Sequence, residues 1–389
     1  MRTITLTISI LVFILSSSCK NKDKKATIRD EVKKPNIVYV LTDQWRAQAT
    51  GYNGDPNLVG KTPSLDKLAS ESVNFKNAVS TMAVCTPYRA ALLTGQYPTT
   101  TGMFLNDLHL PEESYTMAEM YKESGYNTAY IGKWHLDGMG RHEFTPRERR
   151  QGFDYWKALE CSHDYKNLYY YEGDDPTRKV WEGYGPYAET ADAISYIDDH
   201  ANDKEPFLLF LAVGAPHFPY RSTPDEFQAL FKEEDIILPE NVSDEHRKKA
   251  TKDATGYYAH ILGLDKSIGK LQRAIEDAGI EENTIFVFTS DHGEMLGSHG
   301  WRSFQKQVSW AEAVRIPFLI KYPATYKSEE IETPIGTPDI LPTLLSMSGL
   351  PIPESIEGES MTYAIYDKEA GEDKAALVMQ LAPFAGDYQ

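Results

Sequence analysis

Residues 81–98 read TMAVCTPYRAALLTGQYP, with Cys85 two places ahead of Pro87 and four ahead of Arg89. Pro87 opening an apolar run of alanines and leucines predicts a helix start, and Gly95 predicts its stop. Cys85 then stands at the positive end of the helix dipole, where developing negative charge is stabilised. Arg89, four residues on, shares its face. A nucleophile beside a fixed cation suits an anionic ester, such as a sulfate or phosphate. The plainer alternative is a buried cysteine packed beneath a helix.

More chemistry-bearing residues fall at the carboxyl ends of apolar runs. NIVYVLTD (36–43) ends on Asp43, YNTAYIGKWH (126–135) carries Lys133 and His135, PFLLFLAVGAPH (206–217) ends on His217, and NTIFVFTSDHGE (283–294) delivers Asp291 and His292. Lys133 and His135 alternate along an extended chain, which predicts that both face one side. These runs alternate with helical patterns, the sign of a mostly parallel sheet covered on both faces. In such sheets ligands bind beyond the carboxyl ends of the strands, so six of these residues converge on one rim. The helices expected between them include TPSLDKLASESVNF, capped by Thr62 and Pro63 with Leu65, Leu68, Ala69 and Val73 at helical spacing. Further helices are AETADAISYIDDHA, a long amphipathic one over 256–279 stopped by Gly279, and TPDILPTLLSMSGL, which follows the strand VRIPFLIKYP.

The 389 residues carry 40 Lys and Arg against 57 Asp and Glu, a formal charge of −17, which argues against nucleic acid as a partner. A local cluster of cations can still hold an anion against that background. At the amino end, Arg2, an apolar run from Ile4 to Leu15 and Ser16–Ser18 read as a signal peptide over 1–18, the run being too short to span a membrane. Leu15-Ser-Ser-Ser-Cys19 resembles a bacterial lipobox, which implies export, a lipid anchor on Cys19, and placement in the periplasm or at the outer-membrane surface. Residues 19–34 are a charged tether. In an oxidising compartment a Cys85–Cys161 disulfide is the competing use of the two remaining cysteines.

CTPYR followed by AALLTG resembles the signature of the type I formylglycine-dependent sulfatases of the alkaline-phosphatase-like superfamily, and the resemblance spans residues 35–365. It implies an α/β catalytic domain with a large, mostly parallel sheet sandwiched by helices. Residues 366–389 would begin a truncated or reduced antiparallel C-terminal subdomain. It implies that a formylglycine-generating maturation enzyme converts Cys85 to 3-oxoalanine, whose hydrated aldehyde is the nucleophile. Asp43, Gln44, Asp291 and His292, with the group derived from Cys85, would hold Ca²⁺ or Mg²⁺. Gln44 and His292 depart from the Asp-Asp and Asp-Asn of many relatives, and an imidazole is atypical for a hard cation. Arg89, Lys133, His135, His217 and Lys306 (in SFQKQVSW) match the remaining catalytic positions. In the implied reaction, attack on sulfur expels an alcohol protonated by His217 or Lys306, His135 takes the second hydroxyl proton, and sulfate leaves as the aldehyde reforms.

The substrate expected from this resemblance is a sulfated carbohydrate. The alternatives are a phosphonate or phosphate ester hydrolase of the same superfamily, or an inactive, lipid-anchored glycan-binding homologue. Residues 153–187 are rich in Tyr and Trp, which suits a wall for sugar rings built on Trp156 and Trp181, with Arg302 as a further substrate contact. A segment packed on itself would use the same residues. His299, in GSHGW, lies near the second metal-ligand pair, whereas His109, His163, His246 and His260 have weaker support or none.

Overall fold

The computed structural model describes residues 33–367, 370–371 and 373–380. The expected signal peptide over 1–18, Cys19 and nearly all of the expected tether lie outside the described residues, as does part of 366–389. One compact unit begins at Lys34.

Among the described residues the chain forms twelve strands: β1 (Asn36–Asp43), β2 (Val73–Phe75), β3 (Ala78–Val79), β4 (Asn127–Lys133), β5 (Tyr155–Leu159), β6 (Tyr169–Glu172), β7 (Asp175–Val180), β8 (Phe207–Pro216), β9 (Thr284–Ser290), β10 (Phe318–Lys321), β11 (Glu329–Ile331) and β12 (Ile335–Gly336). Ten of them form one sheet in the order β11-β2-β10-β9-β1-β8-β4-β5-β6-β7, and β3 pairs with β12 apart from it. The centre, β9-β1-β8-β4-β5, is parallel, while β10 and the β5-β6-β7 edge add antiparallel pairs. The expected α/β fold with a large, mostly parallel sheet is therefore present, with some antiparallel strands towards its edges.

The apolar runs form strands because both faces are buried. On one face Ile37, Tyr39 and Leu41 of β1 pack with Leu208 and Phe210 of β8. On the other, Val38 and Val40 pack with Leu209, Leu211 and the helix residues Leu264 and Ile268. Strands without a solvent face read as unbroken apolar runs.

Three expectations change. The first helix covers only Pro63–Ser70, and Val73 belongs to β2, held by β10 and β11 from far along the chain. The long helix spans Asp244–Asp277, starting three turns before the apolar pattern because its first turns face solvent. Residues 153–187 supply β5, β6 and β7 and the start of the helix Gly185–His200 instead of an open wall. Trp156, 2% exposed, stacks on Tyr130, and Trp181 stacks on Tyr170 and donates its indole N–H to Asp192 at 2.7 Å. Both tryptophans serve the core, where large aromatic faces bury the most area.

Candidate active site

The helix Cys85–Thr94 is buried throughout and ends on Gly95, whose φ of 67° is the left-handed geometry glycine favours. At its start the N–H of Thr86 donates to Asn106 Oδ1 at 3.0 Å. Cys85 is 2% exposed and carries a free thiol, as does Cys161, so the alternative disulfide is absent.

The ends of β1 and β9 bring acceptors to that thiol. Pairing of β1 with β8 shifts register between Thr42 and Asp43, so that Thr42 opposes Val213 and Asp43 opposes Pro216. The Cys85 Sγ lies 3.3 Å from His292 Nε2 and 3.7 Å from Asp43 Oδ2. Ligand atoms of Asp43, Cys85, Asp291 and His292 all fall within 4.8 Å of one another. His292 Nδ1 lies 2.9 Å from the carbonyl of Gly293, which makes Nδ1 the protonated nitrogen and leaves a lone pair on Nε2. That lone pair sits 3.5 Å from both Asp43 Oδ1 and Asp291 Oδ1. Three buried acceptors facing one another repel unless a cation stands between them, so this donor set fits a divalent ion.

Two fixed cations border the cluster. Lys133 Nζ lies 2.5 Å from Asp43 Oδ2, and Arg89 Nη2 lies 3.3 Å from Asp291 Oδ2 and 3.8 Å from Asp43 Oδ2. Arg89 also donates to the Lys133 carbonyl at 2.7 Å, which Tyr130 engages as well. Burial alone would raise the pKa of Asp43. Lys133, the largest opposing charge, and Lys306 outweigh it and hold the carboxyl well below the usual range.

Lys306 links the metal side to the leaving-group side, donating to Gln44 Oε1 at 2.7 Å and standing 2.8 Å from His217 Nε2. His217 Nδ1 lies 2.8 Å from the carbonyl of Phe218, so Nε2 accepts from Lys306. Burial, the neighbouring His163 and Lys306 push the His217 pKa well down, keeping the ring neutral.

His135 does not alternate with Lys133 along the strand. β4 ends at Lys133, and His135 adopts φ 58°. Gly132, at φ 103°, permits the turn: a Cβ there would meet the Ala212 carbonyl at 2.2 Å. His135 Nε2 pairs with Asp107 Oδ1 at 2.9 Å, leaving Nδ1 buried and without a partner.

Several residues here escaped the sequence reading. Glu294 accepts from Gln44 Nε2, from Tyr220 Oη at 2.7 Å, and from the N–H groups of Leu296 and Phe304, each at 2.7 Å. It closes the same TSDHGE string that supplied Asp291 and His292, so the signal was there. His163 stacks on His217 with ring centroids 3.9 Å apart, and nothing in its local sequence marks it. Asp107 and Asn106 lie on an irregular segment outside every motif. His299 stacks on Trp310 and faces Glu312, outside the acceptor cluster. Arg302 is exposed on the loop that carries Lys306, and Trp156 and Trp181 stay in the core.

A thiol at a helix entrance, a cation-demanding acceptor cluster and a rim of Arg and Lys define a hydrolase for anionic esters, on a doubly covered α/β sheet. The family model described as Sulfatase matches residues 35–350. An ulvan-active sulfatase of Formosa agariphila is 53% identical over 98% of this chain and 75% of its own length. An endo-4-O-sulfatase of Bacteroides thetaiotaomicron is 30% identical over 92% of this chain and 78% of its own. Among solved structures, a sulfatase from Bacteroides fragilis superimposes with a TM-score of 0.82 at 30% identity, covering 90% of this chain and 81% of that one. The chain belongs to the sulfatase family of sulfuric ester hydrolases.

Proposed function

We propose that this sulfatase removes sulfate from a sulfated polysaccharide of the ulvan type, using formylglycine made from Cys85 and a bound Ca²⁺ or Mg²⁺. The observation that carries the reading is the meeting of the Cys85 thiol with Asp43, Asp291 and His292 inside 4.8 Å, bordered by Arg89 and Lys133. The name of the Formosa relative supports the choice of substrate. Asp43, Asp291 and His292 would hold the ion, with Gln44 beside them. The ion supplies positive charge and Lewis acidity, and the aldehyde supplies an oxygen nucleophile that can be regenerated.

The side chains do the rest. Arg89 and Lys133 fix the carboxylates and present positive charge to sulfuryl oxygens. Lys306, donating toward neutral His217, holds a proton where the departing alcohol oxygen needs one. His135, its Nε2–H given to Asp107, keeps Nδ1 free to accept a proton. Export through residues 1–18, a lipid anchor on Cys19, and a catalytic domain over 35–365 complete the proposal.

The test is sulfate release from a panel of sulfated saccharides by matured, metal-loaded protein, with Cys85→Ala as the blank and phosphate esters in parallel. Mass of the Cys85 peptide reports the conversion. An unmodified thiol in protein purified from its own producing cells, or sulfated saccharides left intact by the converted enzyme, would overturn the reading.

A further inference from the structure

Beside the catalytic pair runs a groove of about 790 Å³, bordered by Phe218, Phe304 and Arg221 on one side and Lys248, Lys249 and Lys252 on the other. We propose that it binds a second anionic unit of the saccharide, next to the one that loses sulfate; this rests on the polysaccharide reading above.

The groove adjoins the proton-carrying pair through Phe218 and Phe304. Phe218 follows His217, its ring centroid 4.4 Å from the imidazole and 5.1 Å from Phe304, which precedes Lys306 by two residues. The two rings thus extend a floor outward from the proton-carrying pair, and Phe218 is 37% exposed. Aromatic faces of this kind pack against the apolar face of a pyranose.

The charge of the groove runs against that of the protein. Lys248 and Lys252 share one face of the helix Asp244–Asp277 at i, i+4, and with Arg221 they are exposed. Two carboxylates, Glu245 and Asp253, also line it, and Asp253 is engaged by Lys249 at 2.6 Å. Neither Arg221, Lys248 nor Lys252 forms an ion pair among the described residues. Three unpaired cations against one unpaired carboxylate, on a chain of net charge −17, make a local field that favours an anion.

The groove is also held in place. A Cβ at Gly256 would fall 2.2 Å from the Tyr220 carbonyl, so the long helix presses directly on the segment carrying Phe218 and Arg221. Tyr220 in turn donates to Glu294, the support of Gln44. The volume matches one or two sugar residues. The aromatic sugar platform expected on Trp156 and Trp181 thus lies instead beside His217 and Lys306.

Two arms test this. In the full chain carrying Cys85→Ala, calorimetry with a sulfated oligosaccharide compares the parent with Lys248→Glu/Lys252→Glu. Charge reversal should weaken binding about tenfold. In the matured, metal-loaded enzyme the same reversal should raise KM for the oligosaccharide by a similar factor, leaving kcat/KM on a small aryl sulfate within twofold. Carboxyl-reduced and selectively desulfated oligosaccharides show which anion the lysines hold. Equal oligosaccharide binding by parent and variant overturns the groove. Loss of aryl sulfate turnover in parallel with oligosaccharide turnover does so too. Failure of the Cys85→Ala chain to bind any sulfated saccharide overturns the parent reading instead.

Discussion

Substituting Glu294→Gln isolates the support of Gln44. The wild-type carboxyl faces four donors: two backbone N–H groups on Oε1, and Gln44 Nε2 with Tyr220 Oη on Oε2. Burial raises its pKa above the ordinary carboxylate value, while Tyr220, Leu296 and Gln44 oppose that by hydrogen bonding. The backbone donors cannot move, so the new amide must keep its oxygen on them and turn its NH₂ toward Gln44. Tyr220 can answer by accepting. Gln44 can answer only by turning over, which sets its own NH₂ against Lys306 Nζ and loses the 2.7 Å contact. Two hydrogen bonds, each to an ionisable partner, are at stake at about 1.5–3 kcal/mol each. A net loss near 3 kcal/mol corresponds to roughly a hundredfold fall in kcat/KM, within the range that displaced supports of metal sites show. Adding Gln44→Glu to this variant supplies acceptors to both the new amide and Lys306, and should recover at least about tenfold. On the parent background Gln44→Glu alone should be harmful, since it opposes two carboxyls. Steady-state kinetics across a metal titration measures all four proteins. Parent-like activity and metal affinity for Glu294→Gln, or no recovery in the double variant, would refute the reasoning.

Chelation of the proposed divalent ion should abolish desulfation and lower Tm, because the facing acceptors of Asp43, Asp291 and His292 then lose the cation between them; Ca²⁺ or Mg²⁺ should restore both, followed by scanning calorimetry. Burial raises Glu160 from the ordinary carboxylate value to about 7, against opposing hydrogen bonds from backbone N–H groups such as that of Gly138. The folded state therefore keeps a proton that the unfolded chain releases near pH 4.3, and stability falls as pH rises through about 4.3–7, levelling above. Glu160→Gln should remove up to about 3 kcal/mol of that penalty at pH 8 and little at pH 4, read from urea midpoints of the two proteins. Trp156→Ala should cost about 3–5 kcal/mol of stability while leaving KM on the saccharide unchanged in the folded fraction, checked by urea unfolding and kinetics.

Much of the fold is written in local pattern. β1, β8 and β9 are continuous apolar runs because neighbours cover both faces, and their ends place Asp43, His217, Asp291 and His292 on one rim. The sequence pattern fails where partners are remote. Val73 follows a helical spacing, yet β10 and β11, more than 200 residues later, hold it as strand. The aromatic run over 153–187 has the composition of a sugar wall, but β5 pairs onto β4 in the main sheet, β6 and β7 extend that sheet, and Trp156 and Trp181 are buried. His135 and Asp107 meet only because the backbone turns left-handed after β4, which no side-chain periodicity reports. Glu294 is the opposite case: its position beside Asp291 and His292 marks it, and only geometry reveals how many donors it serves.

Cys85 is walled in by residues that the ribosome makes much later. His292, 3.3 Å from its sulfur, is separated from it by 207 positions. At about 5–20 residues per second, roughly 10–40 s pass before that wall exists. A separate catalyst that must grasp the thiol has this interval, or any further delay before compaction, in which to act; afterwards the sulfur is sealed from proteins of any size. Under the proposed conversion of Cys85, the moment of compaction thus limits which copies of the chain could be converted.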